Sequence, residues 1–220
     1  KLADPQTSML ILCNPHNPVG KIWDRETLER IGELCFKHHV LVLSDEIHCD
    51  ITRPGMEYIP FASVSEHCKN NSITCVAPTK TFNLAGLQTA AVIVPDAALR
   101  HRVNRGLNTD EVAEPNVFAI APIAAFDRGR EWLEELREYL WENRKFAEDF
   151  IREEIPELRT VSADATYLLW IDCNALPGDL SELAEFIRKE SGLYVCDGRE
   201  YGNGYGFLRM NLAYRRELLK

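Results

Sequence analysis

The sequence predicts an α/β fold with a mainly parallel sheet, followed by a smaller α+β domain. Short apolar runs alternate with stretches of helical periodicity, a pattern typical of parallel sheets that helices cover on both faces. The chain has 220 residues, which is enough for one large domain or two small ones. We expect a first domain over residues 1–126 and a second over residues 127–220, where a long helix precedes further strands.

Periodicity and capping signals place the elements of the first domain. Asp24 can cap a helix whose apolar residues recur on one face. Those residues are Leu28, Ile31, Leu34 and Cys35. Short apolar runs indicate strands over residues 9–13, 40–43, 73–77 and 90–94. Because helical stretches separate these runs, the sequence predicts that the strands pair in parallel.

The second domain is predicted to begin with a long amphipathic helix over residues 129–154, which we interpret as a link between domains. A strand over 167–172, a helix over 179–190 and a strand over 207–213 follow. Asp179 together with Glu182 resembles a capping box, which predicts where that second helix begins.

Charge and cysteine usage exclude several classes of function. The formal net charge is −9, so a nucleic-acid partner is not expected. No apolar stretch approaches the length of a membrane span. Seven cysteines are scattered without Cys-x-x-Cys spacing, which indicates free thiols in a reducing cytoplasm. The six histidines show no metal-ligand spacing, so no metal site is expected.

Unusual polar motifs follow three of the predicted strands. They are Asn-Pro-His-Asn-Pro-Val-Gly over residues 14–20, Ser-Asp-Glu-Ile-His over 44–48 and Ala-Pro-Thr-Lys-Thr-Phe-Asn over 77–83. Taken singly, each has an ordinary explanation as a loop, a strand leaving the core or a solvated lysine. Ligands of open α/β sheets bind beyond the carboxyl ends of the strands, so together the motifs predict a site there.

In this order, the motifs resemble the aminotransferase class I/II superfamily of fold-type I, pyridoxal-phosphate-dependent enzymes. Within this superfamily, the sequence is most similar to the cystathionine β-lyase-like C–S lyases. The similarity lies at His16, at His48, where other members often have a tyrosine, and at residues 59–63 and 78–87. This resemblance implies that the first domain is part of the family's cofactor-binding large domain. The part of the family's subunit that the chain resembles is expected to begin after the N-terminal region and to stop before the last helix.

The resemblance also implies the catalytic groups. Lys80 matches the lysine that holds pyridoxal phosphate and moves the Cα proton, a role that suits an amine whose pKa its site lowers. Asp45 matches the carboxylate beside the pyridine nitrogen. Glu46, the next residue, should point away from Asp45 if the segment is still extended.

Further binding residues follow from the same resemblance. Asn17 matches the donor to the ring hydroxyl, whereas Asn14 is expected to stabilise the turn. Thr79 matches a phosphate contact. His48 either contacts the ring region or only packs there, and both interpretations stay open.

The phosphate contacts depart from the common pattern. Ala77 stands where a serine is common and Gln88 where an arginine is common. We therefore expect the 220-residue chain on its own to have little or no catalytic activity.

Arg209 is the candidate for substrate binding. It lies in a predicted strand whose alternation puts Phe207, Arg209 and Asn211 on one face. Arginine is the natural bidentate partner of an amino acid's carboxylate, and the resemblance implies this role. The alternative is a solvated arginine on a half-exposed strand.

The implied activity is β-elimination from cystathionine- or cysteine-type substrates, giving pyruvate, ammonia and a thiol. The alternative is an aminotransferase, and an alternative of another class is a regulatory or binding protein that retains the fold. The resemblance further implies a homodimer, with a small amino acid as substrate.

Overall fold

The computed structural model of the protein describes residues 1–114 and 117–219, which divide into two compact units. The first unit comprises Lys1–Pro15, Ile22–Thr52 and Met56–Glu134. The second comprises His16–Lys21, Arg53–Gly55 and the chain from Glu135 onward. The predicted domain boundary near residue 126 stays a prediction.

A four-stranded sheet forms the centre of the first unit, in the order β1-β2-β3-β4. β1 pairs in parallel with β2, and β2 pairs in parallel with β3. The strands are β1 (Met9–Cys13), β2 (Leu41–Asp45), β3 (Ser72–Val76) and β4 (Ala91–Ile93). All four lie within one or two residues of the predicted strands, and the predicted α/β class with a mainly parallel sheet is confirmed.

β4 differs from the prediction because it runs antiparallel to β3. A parallel neighbour requires a crossover connection that returns the chain to the start of the sheet, usually through a full helix. Between the two strands the chain forms only the four-residue helix α3 (Pro78–Thr81) and a 3₁₀ turn over Ala85–Leu87. Neither is long enough to cross the sheet, so the chain turns back beside β3.

Helix α1 (Arg25–Lys37) forms as the sequence predicts. The side chain of Asp24 accepts a hydrogen bond from the Thr27 N–H at 2.8 Å, which satisfies one of the unpaired donors of the first turn. Leu28 and Cys35 on its apolar face are fully buried. They pack in a core with residues of β1, β2 and the segment around Phe61; its members are Leu12, Leu28, Cys35, Val40, Val42, Phe61, Val64 and Cys68.

The remaining helices of the first unit are short or lie at its edge. Ser65 caps the first of them by accepting from the Cys68 N–H, and Asp96 caps the second by accepting from the Leu99 N–H. These helices are α2 (Glu66–Asn70), α4 (Ala97–Thr109) and α5 (Ile120–Arg128).

The second unit is built on an antiparallel sheet in the order β5-β6-β8-β7. The long helix α6 (Arg130–Glu154) confirms the predicted amphipathic helix, and its residues Ala147 and Ile151 join the core of this unit. The strands are β5 (Arg159–Thr160), β6 (Leu168–Asp172), β7 (Cys196–Asp197) and β8 (Phe207–Asn211), and the other helices are α7 (Leu183–Ser191) and α8 (Arg216–Leu219).

The predicted capping box at Asp179 is wrong. Helix α7 begins at Leu183, and its N-cap residue Glu182 makes no side-chain capping bond. Asp179 instead accepts hydrogen bonds from the Ser181 N–H and from the Tyr205 hydroxyl. The carboxylate therefore stabilises a turn before the helix. An aspartate side chain can accept from nearby backbone N–H groups in a turn as well as at a helix N-cap, so the sequence pattern alone does not distinguish the two.

One acidic side chain, Glu46, lies inside the first unit with 2% of its surface exposed. Its Oε1 accepts hydrogen bonds from Ser44 Oγ at 2.9 Å and from the Phe61 N–H at 3.0 Å. Burial raises the pKa of Glu46, and the hydrogen bonds from Phe61, Ser44 and Tyr58 offset only part of that rise. The neutral acid is thus favoured in the folded state. No helix in the described ranges is both long and apolar enough to cross a membrane.

We predict that Glu46→Gln weakens the pH dependence of folding stability. Because the folded pKa lies above the unfolded value, the stability that Glu46 contributes is present at low pH and is lost as the pH rises through the folded pKa. As the pH rises, the free energy of unfolding of the variant should increase relative to that of wild type, by about 1.4 kcal/mol for each unit by which folding raises the pKa of Glu46. Urea titrations between about pH 4 and pH 8 measure this difference. Glu33→Gln, at an exposed carboxylate, is the control, and parallel stability curves for wild type and Glu46→Gln would contradict the prediction.

Candidate active site

Three parallel strands end at the same level of the sheet. Cys13 at the end of β1 pairs with Asp45 at the end of β2, and Asp45 pairs with Cys75 in β3. Backbone bonds continue one residue further, from the Asn14 N–H to the Asp45 carbonyl and from the Glu46 N–H to the Cys75 carbonyl. The polar motifs that follow β2 and β3, and the first residue of the motif that follows β1, therefore lie along one edge of the sheet, as predicted.

Asn14 stabilises the turn after β1, as the sequence analysis expects. It is fully buried, and its Oδ1 accepts a hydrogen bond from the Trp23 N–H at 3.2 Å. The Tyr58 hydroxyl donates to the Asn14 carbonyl at 2.9 Å. Because its side-chain oxygen and its backbone carbonyl both accept hydrogen bonds within the protein, Asn14 has a structural role.

Asp45 is half-buried at the carboxyl end of β2, with its Oδ1 accepting from the Ile47 N–H at 3.2 Å. Burial raises the pKa of the neighbouring Cys75 thiol, and the charges of Asp45 and Glu46 raise it further. Cys75 therefore stays neutral beside the carboxylate. Glu46 points into the protein, away from this edge, which confirms the expected alternation of the two acids.

Lys80 and Thr79 lie in helix α3, directly beyond the end of β3, and both are half-buried. The next residue, Thr81, is fully buried, and its Oγ1 donates to Asp50 Oδ2 at 2.8 Å. This bond ties the helix that carries Lys80 to the loop that follows Asp45. This bond was not predicted from the sequence; the available signals were the second hydroxyl residue next to the lysine and an acid five residues after Asp45.

His48 lies in the turn after β2 with 3% of its surface exposed, and its carbonyl accepts from the Ile51 N–H. A buried imidazole at this place is compatible with both interpretations of the sequence, packing alone or contact with a bound group. Both interpretations of His48 therefore stay open.

In the second unit the structure brings together two predicted site residues that are 192 positions apart. Arg209 is half-buried in β8, and its Nη1 donates to Asn17 Oδ1 at 3.3 Å. In the antiparallel sheet Arg209 lies opposite Trp170 of β6 and Cys196 of β7. It is therefore not a solvated arginine on a half-exposed strand.

Two further residues contact the guanidinium of Arg209. Its Nη2 donates to Cys196 Sγ at 3.3 Å, and its Cζ lies 4.5 Å from the centre of the Tyr201 ring. Burial raises the pKa of Tyr201 to about 12, so its phenol stays neutral beside the cation. Neither residue was predicted from the sequence, because the pairing of β7 with β8 places Cys196 next to Arg209 and the 3₁₀ turn after β7 carries Tyr201.

The chemistry of these side chains fits pyridoxal phosphate. The cofactor needs an amine for its aldehyde, a carboxylate for its ring nitrogen and hydroxyls for its phosphate. Lys80, Asp45 and Thr79 supply these groups from the ends of two neighbouring strands, β2 and β3. Within the ranges described, no group of three or more His, Cys, Asp or Glu side chains could hold a metal ion.

Comparison with known proteins agrees with this chemistry. The family model for aminotransferase class I and II matches residues 1–220. The chain is 43% identical to cystathionine β-lyase PatB of Bacillus subtilis over 96% of its own length and 55% of that protein's. It is 33% identical to protein MalY of Escherichia coli, over all of its own length and 56% of MalY.

A solved structure gives the same result. Cystalysin from Treponema denticola, which contains pyridoxal 5'-phosphate, superposes with a TM-score of 0.95 at 30% identity, over 99% of this chain and 56% of cystalysin. The chain thus spans about half the length of the proteins it matches. It belongs to the aminotransferase class I and II family of fold-type I pyridoxal-phosphate enzymes, and the relatives that it matches include cystathionine β-lyase PatB.

Proposed function

We propose that the protein acts as a pyridoxal-phosphate-dependent C–S β-lyase on cystathionine- or cysteine-type amino acids. The observation that carries this proposal is the placement of Asp45 and Lys80 at the carboxyl ends of the neighbouring strands β2 and β3. An acid and an amine at this edge are the two protein groups that amino-acid chemistry at Cα requires. The choice of a lyase rests on the relatives.

The residues of the first unit would carry the proton transfers. Bound pyridoxal phosphate supplies the electron sink for the bond broken at Cα. Lys80 would hold the cofactor covalently and then remove the Cα proton of the substrate. Asp45 would hold a proton on the ring nitrogen, because a carboxylate beside a titrating nitrogen favours its protonated form. Thr79 would donate to the phosphate.

The residues of the second unit would bind the cofactor ring and the substrate. Asn17 would donate to the ring hydroxyl through its amide nitrogen, since its Oδ1 already accepts from Arg209. Arg209 would pair with the substrate's carboxylate. The electrons of the C–S bond leave with sulfur, which takes up a proton as the thiol, and water converts the remaining carbon skeleton to pyruvate and ammonia.

The second candidate is an aminotransferase, which needs the same amine and acid and starts with the same proton transfer. Lys80 and Asp45 therefore do not distinguish the two activities. A purely regulatory protein would need neither residue, so their joint presence favours an enzyme. We also propose a homodimer, on the resemblance to the family.

We predict that Lys80→Ala abolishes covalent attachment of the cofactor and lowers turnover by at least about 10² to 10⁴, the usual contribution of a general acid–base group. Borohydride reduction of the holoprotein followed by peptide mass spectrometry shows which lysine carries the cofactor. Lys69→Ala, at an exposed lysine paired with Glu66, is the control. A label on any other lysine in wild type would refute the assignment.

Asp45→Asn should keep the cofactor attached but slow exchange of the Cα proton with deuterated solvent by about tenfold or more, or at least 1.4 kcal/mol in the barrier. The substitution keeps the shape of the side chain and removes the charge that would hold the ring proton. Proton NMR of a bound amino acid measures the exchange. Asp96→Asn, which keeps an acceptor at the N-cap of α4, is the matched control. Wild-type exchange in Asp45→Asn would exclude the ring-nitrogen role.

The whole protein that contains this chain, loaded with pyridoxal phosphate, should release thiol and pyruvate from L-cystathionine without any added keto acid, whereas the 220-residue chain alone should release little or none. Thiol is quantified with a chromogenic disulfide, and pyruvate with lactate dehydrogenase. In a second assay the protein receives an amino acid and a keto acid that lacks a leaving group. Rapid exchange of amino groups without thiol release in the first assay would favour the aminotransferase.

A further inference from the structure

An amide, a thiol and an aromatic ring contact the guanidinium of Arg209. Nη1 donates to the amide oxygen of Asn17, Nη2 donates to the thiol sulfur of Cys196, and the Tyr201 ring lies against Cζ. A ring face attracts the cation, and a thiol sulfur is a weak acceptor, so these contacts orient the side chain without cancelling its charge. The full positive charge of Arg209 is thus available to an anion.

Cys196 has this position because of the strand register. It lies directly opposite Arg209 in the antiparallel pair β7–β8, and directly opposed side chains of such a pair have Cβ atoms about 4.5–5.5 Å apart. The thiol therefore reaches Nη2 without distortion of either strand. An aspartate at this position would also reach Nη2, but it would form an ion pair and occupy the arginine.

One nitrogen of the Arg209 guanidinium makes no hydrogen bond to the described residues. Nε is buried and has no hydrogen-bond partner among the residues that the structure describes. Buried polar groups are almost always paired, so an orphaned N–H points to a ligand. Nη2 carries a second hydrogen besides the one that Cys196 accepts, so a carboxylate could bind Nε and Nη2 together in the fork geometry that arginine prefers.

We propose that Cys196 is a positioning residue for substrate binding: its thiol orients Arg209 as an uncompensated cation and keeps the Nε side open for the α-carboxylate. This inference rests on the proposed function, in which Arg209 pairs with that carboxylate. Cys196 does not touch the reacting atoms. It acts through Arg209, together with the Tyr201 ring that packs on the guanidinium.

The test compares two ligands that differ in the carboxylate alone, glycine and methylamine. Neither carries a thiol leaving group, so both report equilibrium binding, followed by the visible absorbance of the holoprotein. The ratio of the methylamine to the glycine dissociation constant measures what the carboxylate contributes. We expect the ratio to fall by about tenfold or more in Cys196→Asp, by about threefold in Cys196→Val, and by less than about twofold in Cys196→Ser.

Controls separate the inference from loss of structure. Cys173→Ala removes a buried thiol of the same unit that bonds to the Ile171 carbonyl, and it should leave the ratio unchanged. Methylamine binding itself should stay near wild type in every Cys196 variant, since it does not use Arg209. Melting temperatures show whether each variant folds, and the change of about threefold expected in Cys196→Val keeps the test decisive if Cys196→Asp does not fold.

The outcomes also separate this inference from the proposed function. If Arg209→Ala lowers the ratio while Cys196→Val and Cys196→Asp leave it unchanged, the role of Cys196 is overturned and the role of Arg209 stands. If Arg209→Ala leaves the ratio unchanged, both roles fail. Thiol release from L-cystathionine, measured on the same samples, reports on the lyase activity independently of either result.

Discussion

The parallel register of β1, β2 and β3 is the constraint on which the candidate active site depends. Because Cys13, Asp45 and Cys75 are aligned across the sheet, the chain leaves all three strands at one edge. The ladder continues through the Asn14 and Glu46 N–H groups into the polar motifs. Asp45 and the helix that carries Lys80 are consequently positioned by backbone hydrogen bonds, and their placement does not require contact between their side chains.

A buried acid strengthens this edge. Glu46 links Ser44 of β2 to the backbone of Phe61, and burial keeps its pKa high. Tyr58, which lies within hydrogen-bonding reach of Glu46, donates to the Asn14 carbonyl and so continues the network to the turn after β1. The raised pKa of Glu46 reflects the desolvation penalty of a buried carboxylate, which the hydrogen bonds that it accepts partly offset. Asp45 and Glu46 thus have different roles, because Asp45 is half-exposed and Glu46 is buried.

Two arginines of the second unit, Arg144 and Arg209, show the same separation of tasks. Arg144 is 1% exposed, and its charge is compensated by Glu148 and by the Leu168 carbonyl. Burial lowers the pKa of Arg144, and removal of its partners would leave an unpaired buried charge, so its role is structural. Among the residues that the structure describes, Arg209 contacts an amide, a thiol and an aromatic ring, and its Nε has no hydrogen-bond partner. That difference in compensation supports the proposed role of Arg209 in substrate binding.

The sequence by itself determined six of the described strands (all but β5 and β7), the capped helix α1, the amphipathic helix α6 and the position of Asp45 and Lys80 at strand ends. These features follow from periodicities of two and 3.6 residues and from capping residues, which are local properties of the chain. The direction of β4, the turn at Asp179, the Thr81–Asp50 bond and the contacts of Arg209 with Asn17 and Cys196 were decided only by the tertiary structure. Each of these depends on which residues face one another across strands or loops, and register of that kind is set by the packing of the whole unit, because no local pattern encodes it.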